Sequence, residues 1–113
     1  MKYADAHVHL SDPEYANCID DILVEAKNAN VEAIVSNSMD FETSENTLKL
    51  ADRFKGLVFA ALGIHPWSLQ NSSEEQVQQT LGLIEKQRHN GSVVAIGEIG
   101  LDSKYNKIWD EQI

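Results

Sequence analysis

Cysteine, basic residues and long apolar runs are all scarce in this 113-residue sequence. The single cysteine, Cys18, excludes an internal disulfide and is typical of proteins from a reducing compartment. No apolar run approaches the roughly 20 residues that a membrane-spanning helix needs, and the N-terminus has no basic segment followed by a long apolar one. We therefore expect a cytoplasmic protein that does not enter a membrane.

Positive charge is also scarce, since 9 Lys and Arg residues stand against 18 Asp and Glu residues, which gives a formal net charge of −9. A surface with this balance repels nucleic acid unless a positive group is held locally. A bound pair of divalent cations would be such a group. No linker or low-complexity segment divides the sequence, so one domain is expected over residues 1–113.

Three polar residues alternate along the first stretch of the sequence, at Asp5, His7 and His9. The stretch is predicted to be a strand, in which every second side chain points to the same face. The two imidazoles would then lie about 6–7 Å apart along one face, where they could bind one metal ion while Asp5 orients one of the rings. The alternative is that each histidine is buried and hydrogen-bonded to the backbone.

Strands and helices are predicted to alternate along the whole sequence. Besides the first strand, strands are expected over residues 31–36, 57–62 and 93–96. Helices are expected over residues 17–29, from an Asp40 cap to Gly56, from a Ser72–Glu75 capping box to Asn90–Gly91, and from about Asn106 onward. The inner face of the third helix is predicted to carry Val77, Leu81 and Ile84. Because the connections are too long for hairpins, the pattern predicts an α/β fold of parallel (βα) units.

Two further candidate residues follow later strands, His65 after the third and Glu98 after the fourth. In parallel α/β folds, ligands bind at this carboxyl edge of the sheet. Glu98 lies between glycines at the end of an apolar strand, where a carboxylate is costly unless it is paired or bound to metal. A salt bridge is the alternative, but no Lys or Arg follows before Lys104. His65 either donates to a phosphate or substrate oxygen or is simply held extended before a proline.

The other polar and aromatic residues carry weaker predictions. Asp102 could hydrogen-bond to a metal ligand without binding the metal itself, contact the substrate, or cap a helix. Trp67 and Trp109 are expected to pack or to cover loops rather than to stack on bases. His89 lies at a predicted helix end, facing away from the strand ends.

Three segments of the sequence stand out when they are taken together, Asp5–Leu10, Leu62–Trp67 and Ala95–Asp102. In this order and at these separations they resemble the N-terminal signatures of the TatD family, which comprises metal-dependent DNases and related hydrolases of the amidohydrolase-like superfamily. The resemblance implies the N-terminal half of a TIM-type (β/α)₈ barrel, with about four strands. It also implies a centre with two divalent ions, Mg²⁺, Mn²⁺ or Zn²⁺, that hydrolyses the phosphodiester bonds of DNA or another phosphoester.

The same resemblance implies a role for each candidate residue. His7 and His9 match ligands of one metal, Glu98 matches the catalytic carboxylate that bridges both metals, and His65 matches a histidine that contacts the substrate. Family members supply two further His ligands and a late Asp from the C-terminal half of the barrel, and this sequence contains none of them. We therefore expect the free chain to bind metal weakly.

A complete barrel takes about 250 residues, so this sequence is expected to form about half of one. It would then be a truncated enzyme, a half that pairs with a separate C-terminal half or with itself, or an inactive remnant. Two other functions remain open. One is an amidohydrolase-like enzyme that acts on an amide or ester, and the other is a non-catalytic half-barrel that assembles with a partner.

Overall fold

The computed structural model describes residues 1–104 of the chain. Its strands are β1 (Tyr3–Val8), β2 (Val31–Asn37), β3 (Val58–Leu62) and β4 (Val93–Ile96), and its helices are α1 (Ile19–Asn28), α2 (Phe41–Arg53), α3 (Pro66–Leu69) and α4 (Glu74–Gln87). A single 3₁₀ turn, Pro13–Tyr15, lies between β1 and α1. The helix predicted from about Asn106, together with Trp109, lies outside the described residues.

All four strands belong to one sheet, in the order β1-β2-β3-β4, and each neighbouring pair is parallel. The prediction of an α/β fold with parallel (βα) units is therefore confirmed. The last paired residues of the three ladders are Val8 with Ser36, Asn37 with Ala61, and Leu62 with Ile96. Since the strands run in one direction, the segments that follow these pairs meet at one edge of the sheet.

The buried core lies between the two inner strands and the helices α1 and α2. Val58, Ala60 and Leu62 of β3 are completely buried, and Leu23 of α1 is only 2% exposed. By contrast, β1 is exposed over nearly its whole length and β4 over three of its four residues. The inner strands are thus better covered than the outer ones, although Val35 of β2 and Phe59 of β3 are only partly buried. Within residues 1–104, no helix has the length and apolar character that crossing a bilayer requires.

The start of α2 follows the sequence prediction closely. Asp40 is its N-cap, and the carboxylate Oδ1 accepts hydrogen bonds from the backbone N–H of Thr43 at 2.9 Å and from its hydroxyl at 2.7 Å. The Thr43 hydroxyl in turn accepts from the backbone N–H of Asp40 at 3.0 Å. Gly56 lies just beyond the helix with φ of +86°, a conformation that glycine adopts without steric cost.

The start of α4 differs from the prediction by one residue. The capping box is formed by Ser73 and Gln76, whose side chains each accept from the other's backbone N–H, at 3.2 and 2.8 Å. The predicted Ser72–Glu75 pair is wrong because the Ser72 hydroxyl donates to the Ser68 carbonyl instead. Thr80 is the buried residue of this helix, and Leu81, predicted to face inward, is 50% exposed.

Replacing Asp40 with alanine is expected to lower the free energy of unfolding by about 1 kcal/mol, the usual effect of losing an N-cap side chain. The loss leaves the first N–H groups of α2 without their protein acceptor. Urea unfolding followed by circular dichroism measures the change. Glu45→Ala, an exposed site within the same helix, is the control and should change the value by less than about 0.5 kcal/mol. Equal effects of the two substitutions would contradict the capping role.

Candidate metal centre

Three predicted ligands, His7, His9 and Glu98, converge at the carboxyl edge of the sheet. Oε1 of Glu98 lies 2.7 Å from Nε2 of His7 and 3.6 Å from Nε2 of His9. The two Nε2 atoms are 3.3 Å apart. One potential ligand atom from each residue lies within 4.8 Å of the others, so the structure brings the three side chains to a single point.

Glu98 reaches β1 because the chain crosses the ends of the inner strands after β4. The backbone N–H of Gly97 donates to the carbonyl of Leu62 at the end of β3, at 2.9 Å, and the N–H of Glu98 donates to the carbonyl of Ser38 just beyond β2, at 2.8 Å. In a flat sheet, β1 and β4 would lie about 14 Å apart, since three strand spacings separate them. Gly97 and Glu98, the crossing segment, close much of this distance and direct the carboxylate toward the two histidines.

The environment of Glu98 differs from that of an ordinary surface carboxylate. Its side chain is only 18% exposed, and its ion-pair partners among residues 1–104 are all imidazoles. The alternative prediction, a salt bridge to Lys or Arg, is therefore not what the described structure shows. Two of these imidazoles, those of His7 and His9, approach the same oxygen, Oε1.

The ring of His9 is held in the orientation that a metal ligand requires. Its Nδ1 lies 3.0 Å from the backbone carbonyl oxygen of Asn37. Because a carbonyl can only accept, Nδ1 carries the proton and Nε2 presents its lone pair toward the site. The side-chain amide of Asn37 donates to the carbonyls of Ala6 and Val35, at 3.4 and 3.1 Å, and so fastens the end of β2 to β1.

Asp5 does not orient an imidazole in the way the sequence suggested. Its Oδ1 accepts a hydrogen bond from the backbone N–H of His7 at 2.9 Å. The ring of His7 makes its contacts with His9 and Glu98 instead. Asp5 therefore braces the backbone of β1 at the position that carries the first ligand.

His65 lies at the rim of the same cluster and has a structural role that the sequence did not reveal. Its Nδ1 accepts from the backbone N–H of Trp67 at 3.0 Å, which makes the imidazole the N-cap of α3. Nε2 then carries the proton and lies 3.8 Å from Oε2 of Glu98. A ring N–H at this rim can donate to an oxygen that enters the site.

The remaining candidates lie at the margin of the cluster or away from it. Trp67 is 56% exposed beside His65, with the ring centroids 6.3 Å apart, so it lies on the surface and not in the core. Asp102 accepts from the backbone N–H of Lys104 at 2.9 Å, as a capping residue would. His89 follows α4 and accepts from the Arg88 guanidinium at 3.1 Å, near the beginning of β4 and away from the carboxyl edge.

The donor set of His7, His9 and Glu98 fits a divalent metal ion. Imidazole nitrogens and a carboxylate oxygen are ordinary Zn²⁺ ligands, and three protein ligands with one open position are typical of catalytic zinc sites. Ligand atoms about 2.1 Å from a tetrahedral ion lie about 3.4 Å from one another, close to the 3.3 and 3.6 Å separations that involve His9. The 2.7 Å between His7 and Glu98 is a hydrogen-bond distance that would lengthen when both bind one ion. The three side chains can therefore hold one ion, whereas two ions would need further ligands.

Known proteins and one family model match nearly the whole of this sequence. Residues 4–113 match the family model described as TatD related DNase. Human deoxyribonuclease TATDN3 is 36% identical over 104 residues, which are 87% of this chain and 37% of the human protein. A 3′-5′ ssDNA/RNA exonuclease TatD from Erwinia billingiae is 28% identical over 108 residues, which are 96% of this chain and 40% of that protein.

YjjV from Escherichia coli links these sequence matches to a solved fold. This metal-dependent hydrolase is 36% identical over 104 residues, which are 89% of this chain and 38% of YjjV. The crystal structure of YjjV, a TatD homologue, superposes with a TM-score of 0.80 and covers 97% of this chain but 44% of its own. The chain thus spans less than half the length of these relatives, and its four parallel strands match one part of their fold.

Proposed function

The chain belongs to the TatD-related DNase family of metal-dependent hydrolases, and from this premise we propose that it carries one side of a two-metal centre that hydrolyses phosphodiester bonds of DNA. The observation that supports the proposal most directly is the convergence of His7, His9 and Glu98 within 4.8 Å at the carboxyl edge of a parallel sheet. That edge is where parallel α/β folds bind their ligands.

Each side chain has a distinct part in this proposal. His7 and His9 would hold one divalent cation through imidazole nitrogens, and the Glu98 carboxylate would complete its protein ligands. The second oxygen of the same carboxylate, Oε2, lies on the His65 side of the site, 3.8 Å from the imidazole Nε2, and a second cation there would share the carboxylate with the first. When bound, such cations polarise the phosphoryl group and make water nucleophilic near neutral pH. The two imidazoles favour Zn²⁺ over Mg²⁺, which prefers oxygen ligands.

His65 is the proposed substrate contact. With Nδ1 accepting from Trp67, the Nε2–H, which lies 3.8 Å from Oε2 of Glu98, can donate to a non-bridging phosphate oxygen at the rim of the site. Its position as the N-cap of α3 fixes the ring before substrate arrives. Because this donor is already ordered, binding a phosphate costs less side-chain entropy than it would with a mobile donor.

DNA is the proposed substrate because relatives of the chain are named for action on it. The net charge of −9 does not favour binding of DNA, which is a polyanion. The attraction of DNA must therefore come from the metal centre and not from the surface as a whole. Binding of DNA should therefore depend on the bound cation more strongly than it does in a basic nuclease.

The test joins this chain to the part of the YjjV barrel that the chain does not cover. The joined protein is assayed for cleavage of end-labelled single-stranded DNA and of a small phosphodiester, with Mg²⁺, Mn²⁺ or Zn²⁺ and after treatment with a chelator. Cleavage should require a cation. His7→Ala and Glu98→Gln should each lower the rate roughly 100-fold or more, since a metal ion contributes several kcal/mol to transition-state stabilisation.

His89→Ala is the matched control, because this exposed histidine lies away from the carboxyl edge. It should leave the rate unchanged. DNA cleavage that survives both His7→Ala and Glu98→Gln would rule out the proposed centre. Hydrolysis of an amide or ester without phosphodiester cleavage would favour the amidohydrolase-like alternative instead.

A second candidate function is a half-barrel that assembles with another polypeptide, and the outer strand β4 favours it. Val94 and Ile96 on this strand are 52% and 61% exposed. In the described sheet, β1 and β4 are both edge strands. Exposed apolar edges of this kind are prone to pairing with another chain.

We expect the chain by itself to show a mass above its 12.6 kDa monomer in size-exclusion chromatography with light scattering. Val94→Lys should shift the distribution toward the monomer, because it places a charge on the exposed edge. Val24→Lys is the matched control, since Val24 is 58% exposed but lies on the outer face of α1. A monomer at every concentration would contradict assembly through β4.

A further inference from the structure

Gly63 lies directly after β3, pressed against the segment that carries Glu98. A Cβ atom at this position would lie 2.5 Å from the carbonyl oxygen of Glu98, 2.6 Å from the carbonyl carbon of Gly97 and 2.9 Å from the nitrogen of Glu98. Distances under 3.0 Å are essentially never seen for real Cβ atoms. All three neighbours are backbone atoms, so they cannot rotate away as the end of a flexible side chain could.

Backbone hydrogen bonds also hold the crossing segment against the ends of β2 and β3. The N–H groups of Gly97 and Glu98 donate to the carbonyls of Leu62 and Ser38, at 2.9 and 2.8 Å. A side chain at residue 63 must therefore move the segment away from the strand ends and lengthen these bonds. Metal ligands have to be held within about 0.5 Å of their working positions, so such a shift would withdraw the carboxylate from His7 and His9.

The neighbouring glycine does not carry the same restriction. A Cβ at Gly97 would meet Asn37 Oδ1 at 3.7 Å and the Ala61 Cβ at 3.8 Å, which are ordinary van der Waals contacts. A methyl group would thus fit at Gly97 but not at Gly63. This contrast separates a requirement at residue 63 from a general sensitivity of the region.

We propose that Gly63 is a positioning residue for Glu98, because only a residue without a side chain lets the crossing segment bring this carboxylate to His7 and His9. The inference rests on the metal centre proposed above. Gly63 touches neither metal nor substrate and acts entirely through the backbone of residues 97 and 98.

The experiment measures Zn²⁺ binding to the chain by calorimetric titration. Gly63→Ala should lower the affinity about 10- to 100-fold, the range typical of changes in groups that orient metal ligands. Gly91→Ala is the control, because nothing lies within 4 Å of a Cβ at this position before β4, and it should leave the affinity unchanged. In the Glu98→Gln background, Gly63→Ala should cause no further loss, because the group that it positions is already absent.

The outcomes separate this inference from the proposed function. If Glu98→Gln leaves Zn²⁺ affinity unchanged, the proposed metal centre is wrong. If Glu98→Gln lowers the affinity and Gly63→Ala does not, only the positioning role is wrong. A loss that adds fully to that of Glu98→Gln also overturns the role, because the alanine then acts through some other group.

Circular dichroism establishes whether the Gly63→Ala chain is folded before the titration. If it is not, the titration is repeated in about 1 M trimethylamine N-oxide, an osmolyte that favours the folded state. The folded variant should still bind Zn²⁺ weakly under these conditions. Normal affinity after refolding overturns the inference, and so does a chain that stays unfolded, because the glycine is then needed for the whole fold.

Discussion

Glu98→Gln is expected to lower the affinity of the chain for Zn²⁺ by on the order of 100-fold, at or beyond the upper end of the range seen for groups that only orient ligands. The substitution keeps the size of the side chain but removes the charge from one of three converging groups. It also replaces an oxygen that lies 2.7 Å from Nε2 of His7. Competition with a chromophoric chelator measures the affinity, and the wild-type chain should bind one ion.

A second readout of the same prediction is stability. A ligand that binds only the folded state stabilises it, by about 2.7 kcal/mol when its free concentration is 100 times Kd. Zn²⁺ should therefore raise the urea midpoint of the wild-type chain, and a chelator should reverse the shift. At the same Zn²⁺ concentration, Glu98→Gln should lose most of this stabilisation.

Glu45→Gln provides the control for both measurements, since it makes the same chemical change at an exposed position of α2. It should leave the affinity and the Zn²⁺-dependent shift unchanged. Equal losses from the two substitutions would mean that Zn²⁺ is held by the general negative charge of the chain. The convergence of His7, His9 and Glu98 would then have no bearing on binding.

The parts of this site that the sequence could predict are those carried by side chains at strand ends. Alternation at His7 and His9 and the isolated acid at Glu98 are visible as residue types, and the parallel order of the strands places all three at one edge. The groups that hold these side chains in place cannot be predicted from residue types. Backbone carbonyls of Asn37 and Ser38 hold the ring of His9 and the segment of Glu98, and any residue type offers a carbonyl.

In the fold as well, the sequence predicts the features that particular residue types mark and misses the others. Asp40 and Gly56 mark the two ends of α2 in the sequence as well as in the structure. At α4, adjacent serines each precede an acidic or amide residue by three positions, so pattern alone could not choose between them. The four-residue helix α3 is too short to show any apolar period, and its cap is an unusual one, the ring of His65.

The buried face of α4 also differs from the predicted one, and each step along a helix turns the side chain by about 100°. The sequence placed Leu81 on the inner face, yet the structure exposes it by 50% and buries Thr80 instead. Leu23 on α1 is 2% exposed and belongs to the main core cluster. The two leucines therefore offer the same side chain in two environments that sequence periodicity treats alike.

Leu23→Ala is expected to lower the free energy of unfolding by about 2–5 kcal/mol, since it removes buried methyl and methylene groups and leaves a cavity. Leu81→Ala should change it by less than about 0.5 kcal/mol, as is usual at exposed sites. Urea unfolding compares the two, and a shift in midpoint with an unchanged slope identifies a change in stability. Since a small domain is stable by only about 5–15 kcal/mol, the first variant should be near the limit of folding. If Leu81→Ala proved as costly as Leu23→Ala, the exposed face of α4 would have to be covered in solution, and association of the chain would then extend beyond the edge formed by β4.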